Sequence, residues 1–486
     1  MNTSTDFKKF LPNANWINGH WITAESGASI EVTNPADGTI IGQVPNCGAA
    51  ETGSAIDAAR QAFEKYSHSD INTRVRLLRE LHDGLMDQQE ALARLLTAEQ
   101  GKPLAEARGE IAIGAAYILW FAEEIRRTKG ELIPSPTSDR RLMVTHHPVG
   151  VVAAITPWNF PSSMLARKLG PALAAGCTVV VKPASATPYS ALAWGVLMEE
   201  VGFPPGVVNI LTGSAAAIGS TIMSSPHVRK VTFTGSTAVG KQLIRQSADS
   251  VKKISMELGG NAPFLVFDDA DLDAAVEGAM ISKFRNMGQT CVCANRIYAQ
   301  AGVHDAFVSK LSAAIEQLTL GPGSEPDVTQ GPMIDMAAVE KVETLIGDAL
   351  QQGGKVVVGG QRHKLGGTFF EPTLITGVTE RMQFATEEIF GPVAPVLRFD
   401  HEEEVVAAAN RTEYGLAAYI YTQDMARIFR LNESLDYGLM GFNTGLITTV
   451  EAPFGGLKES GIGKEGGSQG LVDYLATKYV CIAGLG

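Results

Sequence analysis

From residue 149 onward the chain alternates short apolar, β-branched runs with helical stretches, and few folds accept that order. Residues 149–156 form a continuous apolar run, as a strand buried on both faces requires. A helix is predicted over 162–175, a strand over Thr178–Lys182, a helix over 188–201 and a strand over 207–211. A further helix near 214–223 leads into a strand at Val228–Thr234 and a helix over 236–248. Right-handed crossovers between such strands build a doubly wound parallel sheet. In sheets of this kind ligands bind beyond the carboxyl ends of the strands. Asn159, Lys182, Gly235 and Glu257 each fall just past such an end.

On either side the pattern differs. Residues 51–127 read as helical, with Leu78, Leu81, Leu85, Leu92, Leu95 and Leu96 keeping the spacing of one buried face. Gly101-Lys-Pro103 breaks that run, and Pro103 suits the first turn of a following helix. After Gly260 the alternation restarts, with strands predicted at 263–267, 296–299 and Ala417–Tyr421 and helices at 271–280 and 335–351. A second α/β domain is therefore expected, carrying Cys291 and facing the first across a cleft. The apolar run 479–483 is a strand that either docks on its own chain or extends a partner's sheet edge.

At 486 residues the chain exceeds one simple core, so two or three domains are expected. A net charge of −12 with no basic face argues against a nucleic-acid partner. Apolar stretches fall short of the ~20 residues of a membrane span, and the N-terminus lacks an apolar signal core. Five cysteines (47, 177, 291, 293 and 481) form neither an even framework nor a zinc pattern, which points to a reduced, cytoplasmic setting and no metal. Cys177 and Cys481 read as core residues. Asp268, Asp269 and Asp271 look metal-like, but acidic capping of the next helix is the better reading.

Cys291 follows a small, polar loop (Gly288, Gln289, Thr290), where a thiol can meet a ligand instead of packing into a core. Phe233-Thr-Gly235-Ser236, with Gly240, reads as strand, turn and helix start. It is either a phosphate cradle or a plain tight turn, and it matches neither the usual dinucleotide fingerprint nor a P-loop. Lys182 is a solvated strand end or a donor to ribose or phosphate. Asn159, between prolines, is an oxyanion donor or an Asx turn. Glu257, at a buried strand end, is a general base or an ion-pair partner. A Cys-His hydrolase is the competing class, but none of the nine histidines lies near Cys291 in sequence.

Taken in order, Pro157-Trp-Asn-Phe-Pro161, Phe233-Thr-Gly-Ser236, Glu257-Leu-Gly-Gly260, Cys291-Val-Cys293 and Glu387-Glu-Ile-Phe-Gly-Pro392 resemble the aldehyde dehydrogenase superfamily over nearly the whole chain. Glu99-Gln-Gly-Lys-Pro, Lys283-Phe-Arg-Asn and Gly415-Leu-Ala-Ala-Tyr are similar to its bacterial succinate-semialdehyde branch. The resemblance implies an α/β fold with a doubly wound cofactor domain (1–127 and 148–257) and a catalytic domain (258–465). A small β arm and C-terminal strand (128–147 and 466–486) would join a homodimer or homotetramer.

It further implies Cys291 as nucleophile, Asn159 as oxyanion donor, Glu257 as base and Glu465 as a proton relay. Thr156, Trp158, Lys182, Ser185, Gly235, Ser236, Gly240, Glu388 and Phe390 would hold NADP or NAD. Relatives preferring NAD usually carry a glutamate where Ser185 stands, so NADP is the expected preference. Arg167, Arg285 and Thr448, the last in place of the family's serine, would bind the carboxylate of a small semialdehyde, either succinate or glutarate semialdehyde. Cys293 is either a packing residue or a redox partner able to form a strained, inactivating disulfide with Cys291.

Overall fold

A computed structural model describes residues 6–484. The ends of the expected boundaries, residues 1–5 and 485–486, lie outside the described residues. The first domain is built on an eight-stranded sheet whose parallel centre runs Val208–Ile210, Thr178–Lys182, Val151–Ile155, Val228–Thr234, Lys253–Glu257. The chain winds outward from Val151–Ile155 in one direction, then crosses back to start again at Val228–Thr234. The switch between those two strands opens a crevice at their carboxyl ends. The strand positions alternate with helices Pro161–Ala175, Tyr189–Val201, Ala215–Ser224 and Thr237–Ser247, as the hydrophobic pattern requires.

Four helices, Ala49–Tyr66, Ile71–Asp87, Gln89–Gln100 and Leu104–Glu124, fill the stretch read as helical, with Gly101 (φ 93°) ending the third. Leu78, Leu81, Leu85, Leu92, Leu95 and Leu96 are all buried in one core with the helix Pro161–Ala175. Every residue of that last helix is buried, so its Arg167 and Lys168 are charges inside the protein.

The second domain is a seven-stranded sheet, parallel except for its edge strand Lys355–Val358. Inward from that edge run Thr373–Thr376, Val393–Phe399, Ala294–Gln300, Ala262–Val266 and Ala417–Tyr421, with Leu439–Phe442 at the opposite edge. Cys291 stands just before Ala294–Gln300, at the amino end of this sheet and opposite the carboxyl ends of the first. Asp271 caps the helix Leu272–Phe284 by accepting from the Asp273 and Ala274 amides.

Two expectations need correction. The boundary at 465 assigned Gly461–Ile462 to the second domain. That strand instead pairs antiparallel with Met256–Glu257 at the edge of the first sheet, because the chain crosses back over the cleft after Leu439–Phe442. The short strands Asn15–Ile17 and His20–Ile22, which the sequence pattern did not suggest, extend the other edge. Cys481 is exposed, not core. It lies on Leu475–Ala483, which docks at home along Arg140–Pro148 in a three-stranded arm, and neighbouring Tyr479 and Ile482 are exposed with it.

Candidate active site

The segment carrying Cys291 turns sharply because Asn286, Met287 and Gly288 all adopt left-handed backbone (φ 51°, 57° and 71°). Only glycine fits at 288, where a Cβ would lie 2.2 Å from the Gly391 carbonyl oxygen. The loop is tied down by buried polar groups. Asn286 Nδ2 donates to the Asn159 carbonyl (3.0 Å), as does Lys102 Nζ (2.7 Å), and Lys102 also donates to Glu110 (2.6 Å). Glu110 in turn accepts from the Ser162 and Ser163 amides at the start of Pro161–Ala175. Asn159 Nδ2 reaches across to the Gln289 carbonyl (2.9 Å). Asn159 and Cys291 are thus held together from opposite domains.

Cys291 is the wall between two cavities. One, of about 280 Å³, is lined by Trp158, Asn159, Gly235, Ser236, Glu388 and Phe390 among others, and sits at the topological switch. The other, of about 320 Å³, is lined by Arg167, Arg285, Thr448, Phe160, Leu446 and Phe454 among others. Cys291 and Met164 line both. Desolvation pushes the Cys291 thiol up to about 12, with the Arg167 charge acting the other way.

The cavity at the switch suits a dinucleotide. Ser236 lines this cavity and caps Thr237–Ser247 by accepting from the Val239 amide, so the start of that helix adjoins the crevice. Glu388 accepts from the Gly260 amide (2.9 Å), and burial raises its carboxyl to about 7. Trp158 and Phe390 meet edge to face at 5.6 Å. Thr156 Oγ1 is buried without a protein partner, and its amide donates to the Lys182 carbonyl. Lys182 and Ser185 lie farther out at the end of Thr178–Lys182. Burial lowers the Lys182 ammonium to about 8, while Ser185 is exposed. Gly240 does not reach the crevice. It sits inside the helix, where a Cβ would meet Leu258 at 2.4 Å, so its smallness serves packing and not a phosphate contact.

Glu257 is buried with neither carboxylate oxygen hydrogen-bonded to the protein, and burial followed by the nearby Glu465 charge raises its carboxyl well above the ordinary range. A Cβ on Gly455 would lie 2.8 Å from Glu257 Oε1, so this residue's bareness makes room for the carboxylate. Glu465 is gripped by Lys168, which also donates to Thr234 Oγ1 (2.6 Å), and lies 3.9 Å from Arg167.

In the lining of the second cavity, Arg167 is sandwiched between Tyr117 and Phe454 (4.9 and 4.3 Å), with Nε and Nη1 lacking hydrogen-bond partners. Arg285 lies over Phe160 at 5.0 Å, and its guanidinium makes no ion pair or hydrogen bond among the described residues. Cys293 lines neither cavity. It is buried, and its thiol donates to the Lys283 carbonyl (3.4 Å). No cluster of three or more His, Cys, Asp or Glu suited to a metal occurs among the described residues. No described helix is long and apolar enough to cross a membrane.

Sequence reasoning missed Lys168, Lys102 and Glu110. Two adjacent cations, Arg167-Lys168, inside an otherwise apolar helix were the available signal for the first. Lys102 beside a helix-breaking Gly-Lys-Pro read only as punctuation.

A dinucleotide crevice in a doubly wound sheet, closed by a second α/β domain, defines an NAD(P)-dependent oxidoreductase. The chain belongs to the aldehyde dehydrogenase family, whose model matches residues 21–480. It is 56% identical over 480 residues to the glutarate-semialdehyde dehydrogenase of Pseudomonas aeruginosa, covering 99% of each chain. It is 57% identical over 470 residues to the 3-sulfolactaldehyde dehydrogenase of Pseudomonas putida, covering 97% of each. With the NADP(+) succinate-semialdehyde dehydrogenase of Escherichia coli it shares 55% over 466 residues, 96% of this chain and 97% of that one. The solved succinate-semialdehyde dehydrogenase from Burkholderia pseudomallei has the same fold, with a TM-score of 0.97 and 54% identity over 98% of this chain and 99% of that one.

Proposed function

We propose that this enzyme oxidises a short aldehyde with a carboxylate at its far end, succinate semialdehyde before glutarate semialdehyde, and prefers NADP to NAD. The observation that carries this reading is Cys291 as the shared wall of two cavities, one at the topological switch and one lined by Arg285 and by Arg167, whose Nε and Nη1 are buried without partners. A planar guanidinium offers a carboxylate two parallel donors, and a buried donor without a partner is costly until a ligand supplies one. The relatives' names agree in chemistry: each substrate pairs an aldehyde with an acidic group.

The thiol of Cys291 gives its proton to solvent water as sulfur bonds to the carbonyl carbon, so Glu257 stays free for the later step. Asn159 Nδ2 and the Cys291 amide hold the oxyanion that forms, where a donor is worth most. A nicotinamide in the cavity that Glu388, Trp158 and Phe390 line would supply the hydride acceptor needed to turn this adduct into a thioester. Glu257 then takes a proton from water as the water attacks the thioester, and the C–S bond breaks to return the thiol. Glu465, held by Lys168, receives the proton from Glu257. Glu388 would hold the nicotinamide-side ribose. Lys182 and Ser185 meet the adenosine side, where the missing carboxylate leaves room for a 2′-phosphate.

The test is a kcat/KM panel over succinate semialdehyde, glutarate semialdehyde, 3-sulfolactaldehyde, butanal and betaine aldehyde, with Arg167→Ala and Arg285→Ala alongside. Loss of one charged hydrogen bond costs about 1.5–3 kcal/mol, so each variant is expected to lose roughly 10- to 150-fold on the acidic aldehydes and little on butanal. Butanal turned over as well as the acids by the wild type would refute the carboxylate pocket. One methylene is worth only about 1–3 kcal/mol, so the panel also ranks succinate against glutarate semialdehyde.

Self-association through the arm belongs to the same reading. Leu132, Ile133, Tyr479 and Ile482 are exposed there, on strands with free edges. Light scattering at micromolar concentration is expected to show a dimer or tetramer, and a monomer would contradict it.

A further inference from the structure

Behind Glu465 lies a file of buried polar groups that the chemistry above does not use. On the strand Val228–Thr234, Lys230, Thr232 and Thr234 share one face, since strand side chains alternate. The neighbouring strand Lys253–Glu257 pairs Thr232 with Ser255 and Thr234 with Glu257, so Ser255 and Glu257 lie on that face too. All five are buried inside a parallel sheet, where apolar residues are the rule.

Hydrogen bonds are made at the two ends of this file. Lys168 touches Glu465 and donates to Thr234 Oγ1 (2.6 Å). Thr232 stands between the two ends, about 7 Å along the strand from Thr234, with its Oγ1 buried and without a protein partner, so the path across it would run through water. Lys230 Nζ comes next, donating to Ser255 Oγ (2.5 Å), which donates to Asp473 Oδ2 (2.8 Å). Asp473 is partly exposed. Gly463 (φ 87°) admits this end, since a Cβ there would lie 2.5 Å from Asp473 Oδ2 and 3.0 Å from Ser255 Oγ.

The reaction needs an exit. An aldehyde, water and the oxidised cofactor give the carboxylate, the reduced cofactor and two protons. The aldehyde hydrogen leaves as hydride, the two protons are the water's, and the thiol proton lost on addition is restored when the C–S bond breaks. We propose that Lys230, Ser255 and Asp473 continue the path from Glu465 to solvent and carry protons released in thioester hydrolysis. Burial lowers the Lys230 ammonium to about 8, so it gives up and regains a proton near neutral pH. The groups facing it are Asp473, Lys253, Cys177 and Lys168, with the Tyr474 ring 4.8 Å away. Asp473 favours its charge, and the two lysines oppose it. These three are positioning residues, since none touches substrate or cofactor. The proposal rests on Glu257 as the base of hydrolysis.

The experiment is a stopped-flow single turnover of the full-length enzyme with NADP and succinate semialdehyde. Reduced cofactor is followed by its absorbance and protons by a pH indicator. In Ser255→Ala, Asp473→Asn and Lys230→Met, reduced cofactor is expected to form at the wild-type rate, while proton release falls behind by at least about fivefold. Asp473→Glu is expected to restore it. Proton release at the wild-type rate in Ser255→Ala and Asp473→Asn would overturn the proposal. So would equal slowing of both signals together with a lowered Tm, which marks a structural role. A Glu257→Gln arm separates the underlying reading. If that variant hydrolyses its thioester normally, the base assignment fails, whatever the other variants show.

Discussion

Two buried ionic clusters flank the pairing of Asn159 with Cys291, and they are built in opposite ways. In the first, Lys102 and Glu110 are fully enclosed and well satisfied: Lys102 donates to Glu110 and the Asn159 carbonyl, and Glu110 accepts from Lys102 and two backbone amides. In the second, Glu257 has no partner for either oxygen, and Arg167 leaves two nitrogens unused. Burying charge is costly in both places, but only the first recovers the cost within the protein. A satisfied cluster holds geometry. An unsatisfied one keeps its hydrogen-bonding capacity for substrate, water and a moving proton.

The contrast is broken most severely by removing Lys102. Lys102→Met leaves the Glu110 charge buried and alone, and is expected to cost about 3–5 kcal/mol of stability. Activity falls with it, as the Asn159 turn loosens. A Tm near wild type would mean that the cluster is not the brace described here.

Glu257→Gln is the opposite case. Because burial raises its carboxyl, the folded state binds a proton more readily than the unfolded one. That stability is fully present at acid pH and is lost as pH rises through the raised folded value. A neutral amide escapes that loss, so stability at pH 7 and above is expected to hold or increase while turnover collapses. Denaturant unfolding at two pH values checks this. A clear destabilisation would show that Glu257 is paired in solution after all.

The cofactor side gives a smaller effect. Ser185→Glu is expected to shift the NADP-to-NAD ratio of kcat/KM towards NAD by about tenfold or more, as one charge-assisted hydrogen bond is replaced by repulsion. In the wild type the same ratio is expected to decline as pH rises past about 8, where Lys182 loses its charge in the free enzyme. A ratio flat from pH 7 to 10 would remove Lys182 from the 2′-phosphate.

The smallest effect concerns Cys293. Peroxide inactivation is expected to reverse with dithiothreitol in the wild type and to become irreversible in Cys293→Ala, if its thiol turns from the Lys283 carbonyl to meet Cys291. Identical behaviour of the two would leave Cys293 as packing.

How much of this was legible in the sequence follows from the range of each interaction. Val228–Thr234 and Thr178–Lys182 matched their predicted bounds because a strand buried on both faces writes itself as an apolar run. Asn159 and Gly235, which line the crevice, were legible for the same reason: they follow such runs, whereas Trp158 entered through the family resemblance. Gly461–Ile462 was not, since two residues pairing with Met256–Glu257 some two hundred positions earlier carry no periodicity. Cys481 failed because its strand is as apolar as a core strand while no layer covers the arm that holds it. Glu110 and Lys168, the partners of Lys102 and Glu465, were hidden in another way. A charge on a predicted helix reads as its solvated face, and only tertiary packing turns it inward.

The central claim is that Cys291 carries the acyl group between two cavities, and that Glu257 releases it. It is tested most directly by intact-protein and peptide mass spectrometry of Glu257→Gln mixed with NADP and succinate semialdehyde and quenched in acid. The expected result is one succinyl group per chain, on the peptide containing Cys291 and absent from Cys291→Ala. An unmodified Cys291 peptide in a sample that has formed a full equivalent of reduced cofactor, or a succinyl group on another residue, would contradict it.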